Sequence, residues 1–69
     1  MYTEKLLKEF GFRETFHEAK GRIFVHPKFP GDLLVQSDTC VVWVCDGFVY
    51  VFSDSDELER TLVLWVERV

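Results

Sequence analysis

The stretch that most constrains this chain is CVVWVCDGFVYVF, residues 40–52. Eleven of its thirteen residues are apolar, and the two exceptions, Asp46 and Gly47, stand in the middle. Asp-Gly between two runs of β-branched and aromatic residues predicts a hairpin, because both central residues of a type I′ turn need a positive φ. A two-residue turn pairs Cys45 with Phe48, and the two strands then pair residue by residue to the ends of the stretch.

Paired residues of a hairpin share a face, so this predicted hairpin is apolar on both sides. One side carries Val41, Trp43, Cys45, Phe48, Tyr50 and Phe52. The other side carries Cys40, Val42, Val44, Val49 and Val51. A hairpin with one wet side alternates apolar and polar residues, and this one does not. Either both faces are covered within the fold, or one face is offered to a partner. If the aromatic side is the core, the valine side is the exposed apolar patch that needs an explanation.

The size and composition indicate one small domain over residues 1–69. The chain is 48% hydrophobic and 16% aromatic, which is ample for a packed core. Eight basic and twelve acidic residues leave a net charge of -4, whereas a nucleic-acid-binding domain is typically basic. The N-terminus is amphipathic and unlike a signal peptide, and no apolar run reaches the ~18 residues of a membrane span. We therefore expect a cytoplasmic protein with no membrane partner.

The two cysteines are expected to be reduced. Cys40 and Cys45 are five residues apart, so on one strand they point to opposite faces, about 16 Å apart along the strand. A disulfide needs Cα atoms within about 7 Å, which excludes an internal bridge along a strand. Reduced core thiols fit a cytosolic protein.

The rest of the chain predicts a helix at each end and strands between them. Residues 4–10 show helical spacing of apolar side chains, with Thr3 as the expected N-cap and Gly11 as the stop. Residues 12–18 alternate as in a strand but contain poor strand formers, so their assignment stays open. Residues 22–26 predict a clearer strand.

A type II turn is expected over residues 29–32, because Pro30 and Gly31 occupy its central positions. It would lead into a strand over residues 33–36. The last element, residues 53–69, predicts a helix that is capped by Ser53 or Ser55 and continues to the end of the chain. The expected fold is α+β, α-β-β-β-β(-β)-α, with an antiparallel sheet, a central Asp-Gly hairpin and helices packed mainly on one face.

Motifs that carry chemistry are absent from the sequence. It contains no glycine-rich phosphate loop, no GxSxG, no HExxH and no CxxC. His17 and His26, even with a cysteine, do not follow the spacing of a zinc module. An acidic group fits a charged helix N-terminus better than a cation site: Asp54, Asp56, Glu57 and Glu59. We therefore expect no catalytic residues, no cofactor, no metal and no small-molecule substrate.

Part of the chain resembles the start of HicA toxins. Residues 6–12 read LLKEFGF, Gly21 follows, and residues 23–27 read IFVHP. HicA toxins are small RNA-cleaving proteins with a double-stranded-RNA-binding-like α-β-β-β-α fold, so the resemblance implies a related order of elements. The catalytic histidine of that family follows a Gly-Ser turn, whereas Arg22 stands after Gly21 here. The resemblance covers about a third of the chain and argues against an active ribonuclease.

These features together favour a non-enzymatic protein–protein interaction module. It would homodimerise through a sheet face or the C-terminal helix, or act as a small phage or prokaryotic regulator that blocks a larger protein. The acidic group at the last helix would then imitate phosphate charge toward a basic partner. The candidate interaction face is Trp43, Phe48, Tyr50, Phe52, Val63 and Leu64. The alternative is a HicA-like RNA-binding protein or degenerate ribonuclease.

Overall fold

A computed structural model describes residues 1–69 as a helix, five strands and a second helix. The elements are α1 (Tyr2–Glu9), β1 (Arg13–His17), β2 (Gly21–His26), β3 (Phe29–Ser37), β4 (Cys40–Cys45), β5 (Phe48–Phe52) and α2 (Ser55–Leu62). All neighbouring strands are antiparallel, in the sheet order β1-β2-β3-β4-β5. The predicted α+β fold is confirmed, and residues 12–18, whose assignment was open, supply the strand β1.

The Asp-Gly hairpin forms as predicted. Asp46 has a φ of 46° and Gly47 a φ of 81°, the two positive values that a type I′ turn requires. The register pairs Cys45 with Phe48 and runs to Val41 opposite Phe52. The aromatic and valine sides of the hairpin are therefore separated as the sequence indicates.

The aromatic side of the sheet is the core. Pairing places buried residues from four strands on one face: Phe24, Leu33, Val35, Val41 and Phe52. Leucines from both helices pack into the same cluster: Leu6 and Leu7 from α1, and Leu58 and Leu62 from α2. Both helices therefore lie on one face of the sheet, and the opposite face has no helix over it.

The start of α1 differs from the expectation. The helix begins at Tyr2, so Thr3 is a buried helical residue and not the N-cap. Its backbone N–H donates to the Asp38 carboxylate in the β3–β4 turn at 2.9 Å. A side chain 35 residues away thus satisfies a helix-start donor that the sequence assigned to a local cap. The predicted stop is confirmed, because Gly11 has a φ of 81° and the Phe12 N–H donates to the Leu7 carbonyl at 3.0 Å.

The second helix is shorter than predicted. It ends at Leu62 and not at the end of the chain. The N–H groups of Leu64 and Trp65 then donate to carbonyls three residues back, which tightens the chain into a turn. The Val66 N–H still donates to the carbonyl four residues back, that of Leu62, at 2.9 Å, and Val66 is buried at 4% exposure in the same cluster as Leu58 and Leu62. The apolar side of the helix therefore continues past the last helical residue.

Two further local predictions are wrong. Neither Ser53 nor Ser55 caps α2; the Asp54 carboxylate accepts the Asp56 N–H at 2.8 Å instead. Pro30 and Gly31 lie within β3 and not in a turn, because the reversal occurs at Pro27 and Lys28. The register between β2 and β3 shifts here, so the Pro-Gly pair forms a bulge, where a strand tolerates a missing donor.

Candidate interaction surface

The uncovered face of the sheet carries two rows of aliphatic side chains across β2 to β5. One row joins Ile23, Leu34, Val42 and Val51, each paired with the next. The other row contains Val25, Val44 and Val49. We call these seven residues the aliphatic patch. With strands about 4.8 Å apart and alternate residues about 6.7 Å apart, the patch spans roughly 19 Å by 13 Å.

Exposure within the aliphatic patch rises toward β5. Ile23 is only 7% exposed, yet it stands outside the main core cluster. Four members are half-buried between their neighbours: Val25, Leu34, Val42 and Val44. Val49 and Val51 in β5 are 61% and 52% exposed. The patch is therefore an open sheet surface, apolar where an antiparallel sheet with one solvated face is usually polar.

Polar residues lie along the β1 border of the aliphatic patch and within one of its rows. Arg13 and Thr15 lie beside it in β1, paired with Val25 and Ile23. Asp32 enters one row from β3, opposite Val44. No charged residue occurs in β5, so the apolar surface continues to the free edge of the sheet.

The six residues predicted as an interaction face are dispersed by the fold. Trp43, Phe48, Tyr50 and Phe52 lie on the side that the helices cover, and Phe52 is itself a core residue at 2% exposure. Val63 and Leu64 are exposed in the turn after α2, at 58% and 79%. Whether the accessible members bind a partner stays a prediction.

An aromatic cluster joins the core to the surface beside β5. The Trp43 ring lies 5.3 Å from that of Phe48 and stacks on Phe52 at 6.2 Å. The Trp43 indole N–H donates to the Pro30 carbonyl at 2.7 Å, which satisfies its only donor. Phe48 and Tyr50 are 48% and 39% exposed at the outer end of the cluster. The cluster is thus anchored inside and partly accessible at the β5 edge.

Ion pairs occupy two of the arginines. Arg22 binds the carboxylates of Glu4 in α1 and Glu14 in β1, the latter at 2.6 Å. These hydrogen bonds lower the pKa of both carboxyls and raise the pKa of Arg22. Arg68 similarly binds Glu9 and Glu59. Their charges are directed at carboxylates of the chain itself, which leaves less positive charge for phosphate.

The acidic group at α2 has structural roles. Asp54 caps the helix. Glu57 accepts a hydrogen bond from the Tyr50 hydroxyl, which raises the pKa of Tyr50. Glu59 pairs with Arg68. These contacts agree with a charged helix N-terminus.

The histidines and cysteines lie apart. Each histidine accepts a local backbone N–H at Nδ1, His17 from Ala19 at 3.2 Å and His26 from Lys28 at 3.0 Å. Cys40 and Cys45 are free thiols. No group of three His, Cys, Asp or Glu side chains is placed to hold a metal ion. An open groove of about 460 Å³ lies beside His26, lined also by Gly11, Arg13, Val25 and Pro27.

Sequence reasoning found the hairpin half of the aliphatic patch and missed Ile23, Val25 and Leu34. The available signal was that IFV and LLV are unbroken apolar runs, which are typical of strands buried on both faces. Only the register decides which member of each run joins the valines.

The fold and surface define a small α+β domain with an open antiparallel sheet. Neither helix has the length and hydropathy needed to cross a membrane. No family model, no curated protein and no solved structure matches the chain.

Proposed function

We propose that this chain is a non-enzymatic protein-interaction module, and that a second copy of the chain covers its open sheet face. The observation that carries the proposal is the aliphatic patch, seven apolar side chains on a face with no helix over it. Burial of such a surface is the main driving force of protein association. An apolar centre with a polar rim is also the usual anatomy of a protein interface.

The shape and charge of the patch favour a second copy over an unrelated partner. Branched aliphatic side chains on a twisted sheet give a low-relief surface that packs well against another sheet about 10 Å away. Arg13 lies at the border of the patch and Asp32 lies within one of its rows, so two copies offer each other opposite charges. A two-fold dimer needs this kind of self-complementary surface.

The area of the face predicts a weak dimer. Five strands of about six residues cover roughly 500 Å² in projection. A standard stable interface buries about 800 Å² on each partner. We therefore expect a dissociation constant in the micromolar range, so that dimerisation depends on protein concentration. Such a module would regulate a partner protein by occupying part of its surface, as the small regulator predicted from the sequence would.

Sedimentation equilibrium of the full chain tests the proposal. A micromolar dissociation constant corresponds to about -8.2 kcal/mol, so the wild type should approach the dimer mass at about 0.1 mM. Val42→Lys places a charge at the centre of the patch and should give a monomer with an unchanged circular dichroism spectrum. Its long aliphatic stem lets the ammonium reach water, so the monomer should stay folded.

Val63→Lys is the matched control, because it adds the same charge at an exposed site away from the patch. It should leave the dimer intact. A wild type that is monomeric at about 0.1 mM would refute the proposal. Loss of the dimer in Val63→Lys but not in Val42→Lys would show that the interface lies at the turn after α2 and not at the aliphatic patch. A salt-dependent shift of labelled RNA by the monomer would favour the HicA-like alternative instead.

A further inference from the structure

The outer edge of β5 has backbone groups with no partner in the chain. The two-residue turn makes Cys45 and Phe48 a hydrogen-bonded pair, and bonding then alternates along the hairpin. Tyr50 and Phe52 therefore bond to β4, whereas the N–H and C=O groups of Val49 and Val51 point away from it. No hydrogen bond outside the strand ladders reaches residues 48–52 through the backbone.

The two edges of the sheet differ in how they resist strand addition. The β1 edge carries Arg13, Glu14 and His17 within five residues, and charged side chains discourage pairing with another chain. The β5 edge, FVYVF, has no charge, no proline and no glycine, and its ladder with β4 has no bulge. Proteins usually blunt such an edge, so an open one of this composition marks a pairing site.

A strand added at β5 would meet apolar side chains on both of its faces. Its residues on the helix side would flank Phe48 and Tyr50, the accessible end of the aromatic cluster. Its residues on the other side would flank Val49 and Val51 and extend the aliphatic patch. Main-chain bonds would supply affinity, and these two sets of side chains would supply specificity.

Acidic residues mark both ends of the β5 edge. Asp46 stands in the turn before the strand and Asp54 follows it, eight residues or about 26 Å further on in an extended chain. Neither carboxylate takes part in any of the ion pairs of the chain. A second copy paired antiparallel about Tyr50 would place Asp46 opposite Asp54 of that copy, and like charges directly opposite are destabilising.

We propose that the β5 edge binds an extended segment of a different protein, apolar in its middle and basic at both ends, by adding it as a sixth strand. The segment exchanges backbone hydrogen bonds with Val49 and Val51. Its terminal lysine or arginine residues lie against Asp46 and Asp54. This edge shares Val49 and Val51 with the sheet face assigned to dimerisation, but it uses their backbone groups and not their side chains.

Synthetic peptides test the charge assignment directly. The first probe is a peptide of about nine residues with lysine at both ends and alternating threonine and valine between them. The control peptide has glutamate at both ends and is otherwise identical. The lysine peptide should bind the full chain about tenfold more tightly by fluorescence anisotropy, with a difference that shrinks as salt screens the charges. Equal affinities, or no binding of the lysine peptide, would overturn the proposal.

A pair of variants tests the backbone assignment. Val51→Pro removes an N–H that points outward and leaves the β4–β5 ladder intact, so the domain should stay folded. Val51→Thr keeps that N–H and is the matched control. Val51→Pro should weaken peptide binding about tenfold, whereas Val51→Thr should change it little. Equal binding by the two folded variants would overturn the strand-addition geometry.

The dimer variant separates the two proposals. Val42→Lys, which should be monomeric, should still bind the lysine peptide, since Val42 lies in β4 and away from the free edge. A wild-type dimer that Val51→Pro dissociates and Val42→Lys does not would show that a second copy occupies the β5 edge. That result would refute the different-protein occupant.

Discussion

Leu33 and Leu34 are neighbours in one strand and face opposite environments. Leu33 is fully buried under the helices, whereas Leu34 is half-buried in the aliphatic patch. Both faces of the sheet are apolar, so polarity alone does not decide which one the helices cover. The covered face has the aromatic rings, which bury about 150–250 Å² each and so gain more from a cover. The two helices therefore cover the aromatic face, where burial stabilises the fold most, and the valine face stays open.

The largest expected effect comes from truncating each leucine in turn. Leu33→Ala should lower the free energy of unfolding by about 2–5 kcal/mol, because it leaves a cavity in the core. Leu34→Ala removes the same atoms from a half-open site and should cost about 1 kcal/mol in the monomer. Urea denaturation at low protein concentration measures both. Equal losses would mean that the open face is as well packed as the core.

Protein concentration sharpens this comparison. In the dimer proposed above, Leu34 becomes buried, so the loss caused by Leu34→Ala should grow as concentration rises through the dissociation constant. The loss caused by Leu33→Ala should not change with concentration. A Leu34→Ala loss that is constant over this range would contradict burial of the open face by a second copy.

The difference between local and distant signals explains what the sequence could predict. The hairpin at Asp46 and Gly47 was predictable in register, because a two-residue turn is specified by its own residues. The start of α1 was not, since its donor at Thr3 is satisfied by Asp38, which only the folded sheet brings near. The end of α2 was not predictable either, because the residues after Leu62 contain no glycine or proline to mark a stop.

The surface was predictable to a smaller extent. The valines of the hairpin alternate with aromatic residues, so their separate face follows from strand geometry. In the apolar runs of β2 and β3, the odd-numbered or the even-numbered residues could equally face the core. The register of these strands with β4 decides which set does so. The aliphatic patch was therefore only half visible in the sequence. The larger aromatic side chains were a local signal for the covered face, and the packing of both helices completed that choice.

A smaller effect is expected at the contact that holds α1 to the covered face. Asp38→Ala removes the acceptor of the Thr3 N–H and should lower the midpoint of thermal unfolding at neutral pH. The backbone hydrogen bond from Thr3 lowers the pKa of the Asp38 carboxyl, so its contribution to stability is present above the ordinary pKa of aspartate. It is lost as the pH falls through the lower folded-state pKa.

Thermal unfolding over pH measures that dependence. The difference between wild type and Asp38→Ala should narrow toward acid pH and persist at neutral pH. Asp38→Asn is the control, since its amide oxygen still accepts the N–H without a titrating charge. A difference that stays constant into acid pH would show that Asp38 acts without its charge. Faster hydrogen exchange of the α1 backbone amides in Asp38→Ala would indicate that the helix packs less tightly on the sheet.

The smallest effect is expected where α2 meets β5, at the hydrogen bond from Tyr50 to Glu57. This bond raises the pKa of Tyr50, so its contribution to stability is full below the ordinary pKa of tyrosine. The contribution is lost as the pH rises through the higher folded-state pKa.

The titration of Tyr50 can be followed by absorbance in a Tyr2→Phe background, which leaves Tyr50 as the only tyrosine. Tyrosinate absorbance should then appear at a higher pH in the folded chain than in the unfolded chain. Glu57→Ala should bring that titration back toward the ordinary value, because both the acceptor of the Tyr50 hydroxyl and its negative charge are gone. An unchanged titration in Glu57→Ala would mean that desolvation, and not the carboxylate, holds the hydroxyl protonated. The covered face would then shield its outer rim more completely than the 39% exposure of Tyr50 indicates.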